Sequence, residues 1–301
     1  TPRPKRDDVV PVEVRSRRRS WLWGGGGRVA IVSIMTALGA LALQIGFVLA
    51  LYAIVMSLAG ASLRNRNFVT SSEHAVYAVW AMVLLAVAAL LHALVTHDFS
   101  LKYVAHYSSS TLPLPYLIAA LWGGQAGSLL FWSLILTSMT AVVHLQNRYR
   151  NRELMPYVTA VLMTVTLFFL ALINFITSPF ETLAFVPQDG RDLNPLLQNY
   201  WMTIHPPSLY IGYVACAIPF AFAFAALVTG RLDDIWIRTT RRWTLFAWFF
   251  LSLGNLFGAQ WAYLVLGWGG YWAWDPVENA ALMPWFTCTA FLHSVMIQEK
   301  K

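Results

Sequence analysis

Residues 29–58 read VAIVSIMTALGALALQIGFVLALYAIVMSL, an apolar run without a single Asp, Glu, Lys or Arg. A helix needs about 20 residues, at about 1.5 Å rise each, to cross a hydrocarbon core of roughly 30 Å, and this run exceeds that length. Six more runs follow at 75–95, 112–145, 157–177, 209–229, 243–267 and 284–298. The third carries a polar interruption and divides naturally into a surface helix followed by a span. The last is short.

Across the whole chain the hydrophobic fraction is 58% and the charged fraction 12%, far from the balance of soluble domains. Seven such runs argue against a soluble protein with an apolar helical core. They do not alternate as the strands of a β-barrel would, and no repeat of solenoid length is present. The expected fold is an all-α, polytopic transmembrane helical bundle of about seven spans, with a tryptophan-rich loop or short helices on its outer face.

Residues 1–28 form a basic extension rich in Pro, Arg and Gly. The following run is too long for a cleavable signal core and has no clear cleavage site before Ala75, so it is expected to be retained. Cys216 and Cys288 lie far apart inside apolar runs, form neither a CxxC pair nor a metal motif, and read as small buried hydrophobes.

Basic residues set the orientation. Alternate connections carry Arg64 and Arg66, then Arg148, Arg150 and Arg152, then Arg231, Arg238, Arg241 and Arg242, and finally Lys300 and Lys301. The intervening connections hold only Lys102 and Arg191 as bases, against Asp98, Glu181, Asp189, Asp192, Asp275 and Glu278. The basic bias puts the second set on the outer side. Seven spans then place the basic extension outside as well, against that rule.

On this topology residues 268–285, WGGYWAWDPVENAALMPW, face outward between the last two spans. Trp261, Trp268, Trp272, Trp274 and Trp285 could be an interfacial aromatic belt. A belt leaves unexplained the adjacent acids and the glycines Gly267, Gly269 and Gly270, which open space for a flat ligand to approach the backbone. Tryptophan faces and cleared space suit a planar macrocycle such as a porphyrin. Locally, Asp275 is positioned to N-cap the last helix, with Pro276 at its first position and Glu278 as the reciprocal capping-box partner.

His205 precedes Pro206 and Pro207, which are expected to hold the backbone out of helical geometry and display the imidazole at the mouth of the run at 209–229. A neutral imidazole there is either an interfacial polar group or an iron ligand. His293 falls inside the last run, about 13 Å below Pro284 by helical rise, where it serves either an interhelical hydrogen bond or haem ligation. His92, His97, His106 and His144 have no supporting motif and read as structural or surface residues. The stretch 122–128, WGGQAGS, reads as close helix packing or a surface bend.

The segment 268–285 resembles the tryptophan-rich WWD signature of haem-handling proteins of cytochrome c maturation. Its continuation DPVENA is most similar to the CcmF family, including the NrfE proteins, rather than to CcmC or CcsA. LWGGQAGSLLFW at 121–132, MTIHPPSLYIGY at 202–213 and FLHSVMIQE at 291–299 fit the same family. The resemblance covers the chain from about Val29 onward. It implies a cytochrome c haem lyase of the bacterial inner membrane, with the WWD segment facing the periplasm.

In such a protein haem in transit arrives from the chaperone CcmE, and CcmH and sometimes CcmI are partners. Thioether bonds then form to the CxxCH cysteines of apocytochrome c. Carried onto this chain, the resemblance makes Trp261, Trp268, Gly269, Gly270, Tyr271, Trp272, Trp274, Asp275, Pro276, Glu278 and Trp285 the haem platform. It makes His205 an outer axial ligand and His293 a ligand to a separate transmembrane haem b. The family usually has tryptophan where Tyr271 stands, and it is roughly twice as long, so the second ligand of each haem is expected beyond Lys301. Membrane lipid is an expected partner and nucleic acid is not.

Two other readings compete. A haem export or relay protein of the CcmC/CcsA type would bring two outward histidines to one tryptophan segment. A non-haem structural subunit of a membrane complex would use the tryptophans only as anchors. Asp275 and Glu278 are read in every case as scaffolding rather than a catalytic dyad.

Overall fold

A computed structural model of the chain describes residues 25–231, 235–267 and 269–298. Residues 1–24 of the basic extension, Trp268 and Lys300–Lys301 lie outside the described residues. The described residues form an all-α bundle with seven helices long and apolar enough to cross a membrane. In chain order these are α1 (Gly25–Ser62), α2 (Arg66–Val95), α5 (Gln125–Asn147), α6 (Met155–Phe175), α7 (Tyr200–Thr229), α8 (Ile235–Trp261) and α9 (Pro276–Gln298). Two short helices, α3 (Lys102–Tyr107) and α4 (Leu114–Ala119), lie between α2 and α5. The apolar run at 112–145 therefore divides as its polar interruption suggests, into a short helix and a span.

Packing proceeds from neighbour to neighbour. One apolar core joins α1, α2 and the short helices to α5 and α6, around Leu43, Val79, Val83, Leu90 and Leu170. A second joins α5 and α6 to α7 and α8 around Leu136, Leu162, Ile218 and Phe222. The third is small, with Leu209, Leu251 and Ala281 linking α7, α8 and α9. Helix α9 thus enters the bundle at its thinnest seam.

The connections sort by end. At one end Lys102 pairs with Glu181 at 2.9 Å and Ser109 donates to Asp192 at 3.0 Å. There the loop after α6 is bound to the segment between α2 and α5. At the opposite end Arg152 pairs with Glu73 at 2.6 Å, Arg231 pairs with Glu153, and Asn151 donates to Thr239 at 3.2 Å. The second group falls among the arginine-bearing connections, so alternation of charge in sequence becomes separation of charge along the bundle.

The interruption at 122–128 is a close-packing site. The buried Tyr103 hydroxyl donates to the carbonyl of Ala120 at 2.8 Å and accepts from the Gly124 amide at 3.1 Å, which ties the helix break shut. A Cβ at Gly127 would fall 2.1 Å from the Leu121 carbonyl oxygen and 2.2 Å from the Tyr103 hydroxyl, a space no side chain fits. Burial pushes the Tyr103 phenol above its ordinary range, so it stays protonated and able to donate.

Candidate functional site

Helix α7 starts at Tyr200, before the run at 209–229, and continues unbroken through Pro206 and Pro207. The expectation that these prolines hold His205 outside helical geometry is therefore corrected. Asn199 starts the helix, its side chain accepting from the Trp201 amide at 2.9 Å. Pro206 lacks the N–H that would bond the carbonyl four residues earlier. That carbonyl, on Met202, accepts instead from the Trp122 indole at 3.4 Å. A partner from the 121–132 motif thus stands in for the missing backbone donor.

His205 sits in the second turn of α7 against α8. Its Nδ1 lies 2.8 Å from the carbonyl oxygen of Gly254. A carbonyl only accepts, so Nδ1 carries the proton and Nε2 keeps its lone pair. The ring stacks near Trp261, with centroids 6.1 Å apart and planes at 26°. The Trp261 indole is itself held by the Leu196 carbonyl at 3.2 Å. Gly258 supplies the floor: a Cβ there would lie 2.6 Å from the imidazole Cε1 and 2.8 Å from Nδ1. Gly254 and Gly258 are the residues that sequence reasoning missed. Their spacing of four, a small-residue signature of close helix approach, is the signal that could have found them.

Helix α8 ends in one π-helical stretch, Ala262–Leu266, closed by Gly267 in the left-handed conformation at φ 69°. The loop that follows is tied back to α9. Glu278 accepts from the amides of Ala273 at 2.8 Å and Asp275 at 3.3 Å, while Asp275 accepts from the Glu278 amide at 2.6 Å. This is the reciprocal capping box, with Pro276 as the first helical residue. Both acids are engaged with backbone donors, which is scaffolding work.

The capping box also supports a strained residue. Trp274 has φ 59°, a left-handed conformation that bulky side chains rarely adopt. Asn279 donates to its carbonyl at 3.0 Å. The result is a Trp274 ring 69% exposed, set edge-to-face on Trp272 with centroids 5.8 Å apart. Tyr271, 53% exposed, stacks on Tyr263 at 4.3 Å and 10°. Gly269, exposed at φ 73°, and Gly270 make the bend with no heavy atom within 4 Å of a would-be Cβ.

His205, Trp261, Trp272, Asp275 and Glu278 line one cleft, together with Gly258. Five residues singled out in three sequence segments therefore meet. The cleft holds about 70 Å³, far below the roughly 300–1,000 Å³ of pockets that engulf a ligand. It is a notch beside an exposed aromatic surface. The Trp272 indole Nε1 is buried there without a hydrogen-bond partner, so the site contains a donor in need of an acceptor.

Two assigned residues lie elsewhere. Trp285 is within the α8–α9 seam, stacked with Trp248 at 6.0 Å and donating to Ser252 at 2.7 Å. His293 is seventeen residues along α9 from Pro276, about 25 Å by helical rise. Its Nδ1 donates to the Thr289 carbonyl at 2.8 Å, which again leaves Nε2 with the lone pair. It belongs to an exposed stripe with Met283, Phe286 and Ile297.

His144 is buried against Thr159, with 3.1 Å between Nε2 and Oγ1, a structural contact. The cysteines, distant in sequence, face one another across α7 and α9 with sulfurs 3.8 Å apart, a proximity their spacing in sequence did not disclose.

Residues 122–301 match the family of cytochrome c assembly proteins. The cytochrome c-type biogenesis protein CcmF of Pseudomonas fluorescens is 43% identical over 265 residues, which is 88% of this chain and 40% of that protein. CcmF of Escherichia coli is 43% identical over 87% of this chain and 40% of its own length. NrfE of Haemophilus influenzae is 42% identical over 72% of this chain and 34% of its own. A solved structure, cytochrome c haem lyase CcmF, superposes with a TM-score of 0.79 at 37% identity, over 89% of this chain and 43% of that one. The chain thus spans about 40% of the length of the curated CcmF relatives it matches. It belongs to the CcmF/NrfE-like haem lyase family of cytochrome c assembly proteins and corresponds to their N-terminal portion.

Proposed function

We propose that this chain is the haem-receiving portion of a cytochrome c haem lyase. It takes haem delivered by CcmE and holds it for thioether formation with the CxxCH cysteines of apocytochrome c. The observation that carries this reading is the His205–Gly254 hydrogen bond beside the Trp272 cleft. A metal-binding imidazole ordinarily donates its other ring nitrogen to a fixed acceptor, which sets the tautomer and aims the lone pair. His205 meets that condition with a backbone carbonyl, and backbone is the least mobile acceptor a helix can offer.

The other residues complete a receiving surface. Trp274 and Tyr271 present exposed aromatic faces for stacking, and the unpaired Trp272 N–H fits an acidic substituent at the edge of the macrocycle. The cleft is too small to swallow a porphyrin, which suits a substrate that must be handed on. In the reaction a cysteine S–H adds across a haem vinyl C=C, the sulfur to one carbon and the proton to the other. The contribution of this chain is to hold the vinyl-bearing ring in one orientation while the partner cysteine approaches. Asp275 and Glu278 keep the loop in shape and take no proton.

His293 fits one axial position of a resident haem b, since its Nδ1–H is already committed to Thr289 and its face of α9 is exposed. When bound, that haem supplies one-electron chemistry. The second ligand of each haem is assigned to the part of the longer family proteins that this chain does not span. CcmH and CcmI are the proposed membrane partners. The proposed setting is the bacterial inner membrane, with the Trp272 cleft facing the periplasm and the arginine-rich end facing the cytoplasm.

A relay of the CcmC type is disfavoured, because His293 stands about 25 Å along α9 from the loop by rise alone and cannot share its haem with His205. The test is holocytochrome yield from cells carrying the complete maturation system. His205→Ala is expected to abolish haem-stained cytochrome c. Normal yield would reject the assignment.

A further inference from the structure

The arginine-rich end carries a groove of about 1340 Å³ between the α5–α6 connection and α8. We propose that it binds the head group and upper acyl chains of an anionic phospholipid. This rests on the groove itself and is independent of the haem site.

Charge comes first. Arg150, Arg152, Arg231, Arg238 and Arg242 line the groove, and Glu153 is the sole carboxylate among the described lining residues. Arg231 pairs with Glu153, and Arg152 reaches outside the lining set to Glu73 at 2.6 Å. Arg150 and Arg242 add two exposed guanidiniums to the groove from its opposite sides, the α5–α6 connection and α8. Guanidiniums also present paired N–H donors that match phosphate oxygens.

Polarity then changes with depth. Toward the bundle the wall consists of Met139, Val142 and Phe246, of which Val142 is 40% and Phe246 36% exposed. Between wall and rim the Trp243 indole donates to Gln146 at 3.2 Å, joining α8 to α5. Tryptophan at that level, with its N–H bonded close to the end of α5, is the arrangement of a membrane–water interface. A soluble phosphate would use the rim and leave the wall idle. A phosphodiester lipid uses both, since its head group and chains change polarity over the same distance. Basic pockets between helix ends recognise anionic lipids by this means.

The test uses the purified full chain in detergent, delipidated and then offered phosphatidylglycerol, phosphatidylcholine or inorganic phosphate, with adducts read by native mass spectrometry. Phosphatidylglycerol is expected to be retained about tenfold over phosphatidylcholine. Joint Arg150→Gln and Arg242→Gln substitution is expected to erase that preference, whereas Arg64→Gln, a basic residue outside the groove lining, is expected to preserve it. Phe246→Ala is expected to weaken lipid retention in the otherwise native chain, which supplies a second reading if the double variant fails to fold. Equal retention of the two lipids overturns the proposal. So does a preference untouched by the arginine substitutions, lipid retention untouched by Phe246→Ala, or displacement of the lipid by millimolar phosphate, which would identify a soluble anion as the ligand.

Discussion

The Nδ1–H of His205 donates to the carbonyl oxygen of Gly254 at 2.8 Å, so the free nitrogen of a helix α7 imidazole is aimed by the backbone of helix α8. Gly258, one turn further along α8, sets how close the ring can lie. Gly258→Ala places a methyl 2.6 Å from Cε1 and must push the ring away. Overpacking of this kind costs about 1–3 kcal/mol. The expected outcome is a folded protein of modestly lower thermal stability whose holocytochrome yield falls nearly as far as that of His205→Ala, although the imidazole itself is present. Full yield from the alanine variant would show that the ring position is unimportant.

The capping box separates scaffold from chemistry. Glu278 accepts two amide hydrogen bonds, a role that glutamine can fill with its carbonyl oxygen. Glu278→Gln is therefore expected to retain most maturation activity. Glu278→Ala and Asp275→Ala are expected to lose about 0.5–2 kcal/mol of local helix stability and to release Trp274 from its left-handed conformation. Amide exchange across the start of α9, measured beside holocytochrome yield, checks both outcomes. Loss of activity in Glu278→Gln at unchanged exchange would mean that the carboxyl does chemistry.

The sulfurs of Cys216 and Cys288 lie 3.8 Å apart, and a disulfide needs about 2.05 Å. A small shift of two side chains closes that difference. Copper phenanthroline is expected to convert both free thiols into one intramolecular bridge that survives denaturing electrophoresis and disappears on reduction. Two titratable thiols after oxidation would contradict the packing of α9 against α7.

A pH dependence is expected in the loop between α6 and α7. Asp189 accepts from the Ser110 hydroxyl at 2.6 Å, the Ser110 amide at 2.8 Å and the Gly190 amide at 2.7 Å. These bonds favour the charged carboxylate and hold its pKa below the ordinary value, the Ser110 hydroxyl contributing most. A depressed carboxylate pKa contributes stability that is present above the unfolded-state pKa and is lost as pH falls through the folded one. Protection of the Ser110 amide from exchange is thus expected to be flat near neutrality and to fall under acid conditions. Asp189→Asn should remove that acid step, and an unchanged acid profile in the asparagine variant would assign it to another group.

Much of this arrangement is legible in the sequence where the cause is local. Seven spans follow from the apolar runs alone, because hydropathy over one helix length needs no partner. The capping box at Asp275 and Glu278 is equally local, closed within four residues. Where a distant segment decides, the reading fails. Pro206 and Pro207 look like a helix stop until the Trp122 indole supplies the donor that the Met202 carbonyl lacks. The contacts of Trp285 with Trp248 and Ser252 in a helix seam are likewise not visible in its local sequence. Cysteines separated by 72 positions meet only because α7 and α9 pack together.

The two histidines offer the sharpest contrast. His205 is enclosed by Gly258 and Trp261 at one end of the bundle, whereas His293 lies exposed on the stripe of α9 that includes Phe286 and Ile297. An uncovered imidazole in a span is costly in lipid, so this stripe calls for a cover of protein or cofactor. If each histidine serves a separate haem, the losses should be independent. His293→Ala is expected to remove a reduced b-type absorption from the purified protein, while His205→Ala leaves that absorption and removes cytochrome c maturation. His293→Gln keeps a polar side chain without an imidazole and is expected to behave as His293→Ala, which excludes a role limited to hydrogen bonding. Persistence of the b-type spectrum in both His293 variants would reassign the stripe to helix packing alone. Loss of that spectrum in His205→Ala would place both histidines on a single haem, against the about 25 Å of helix between His293 and the loop.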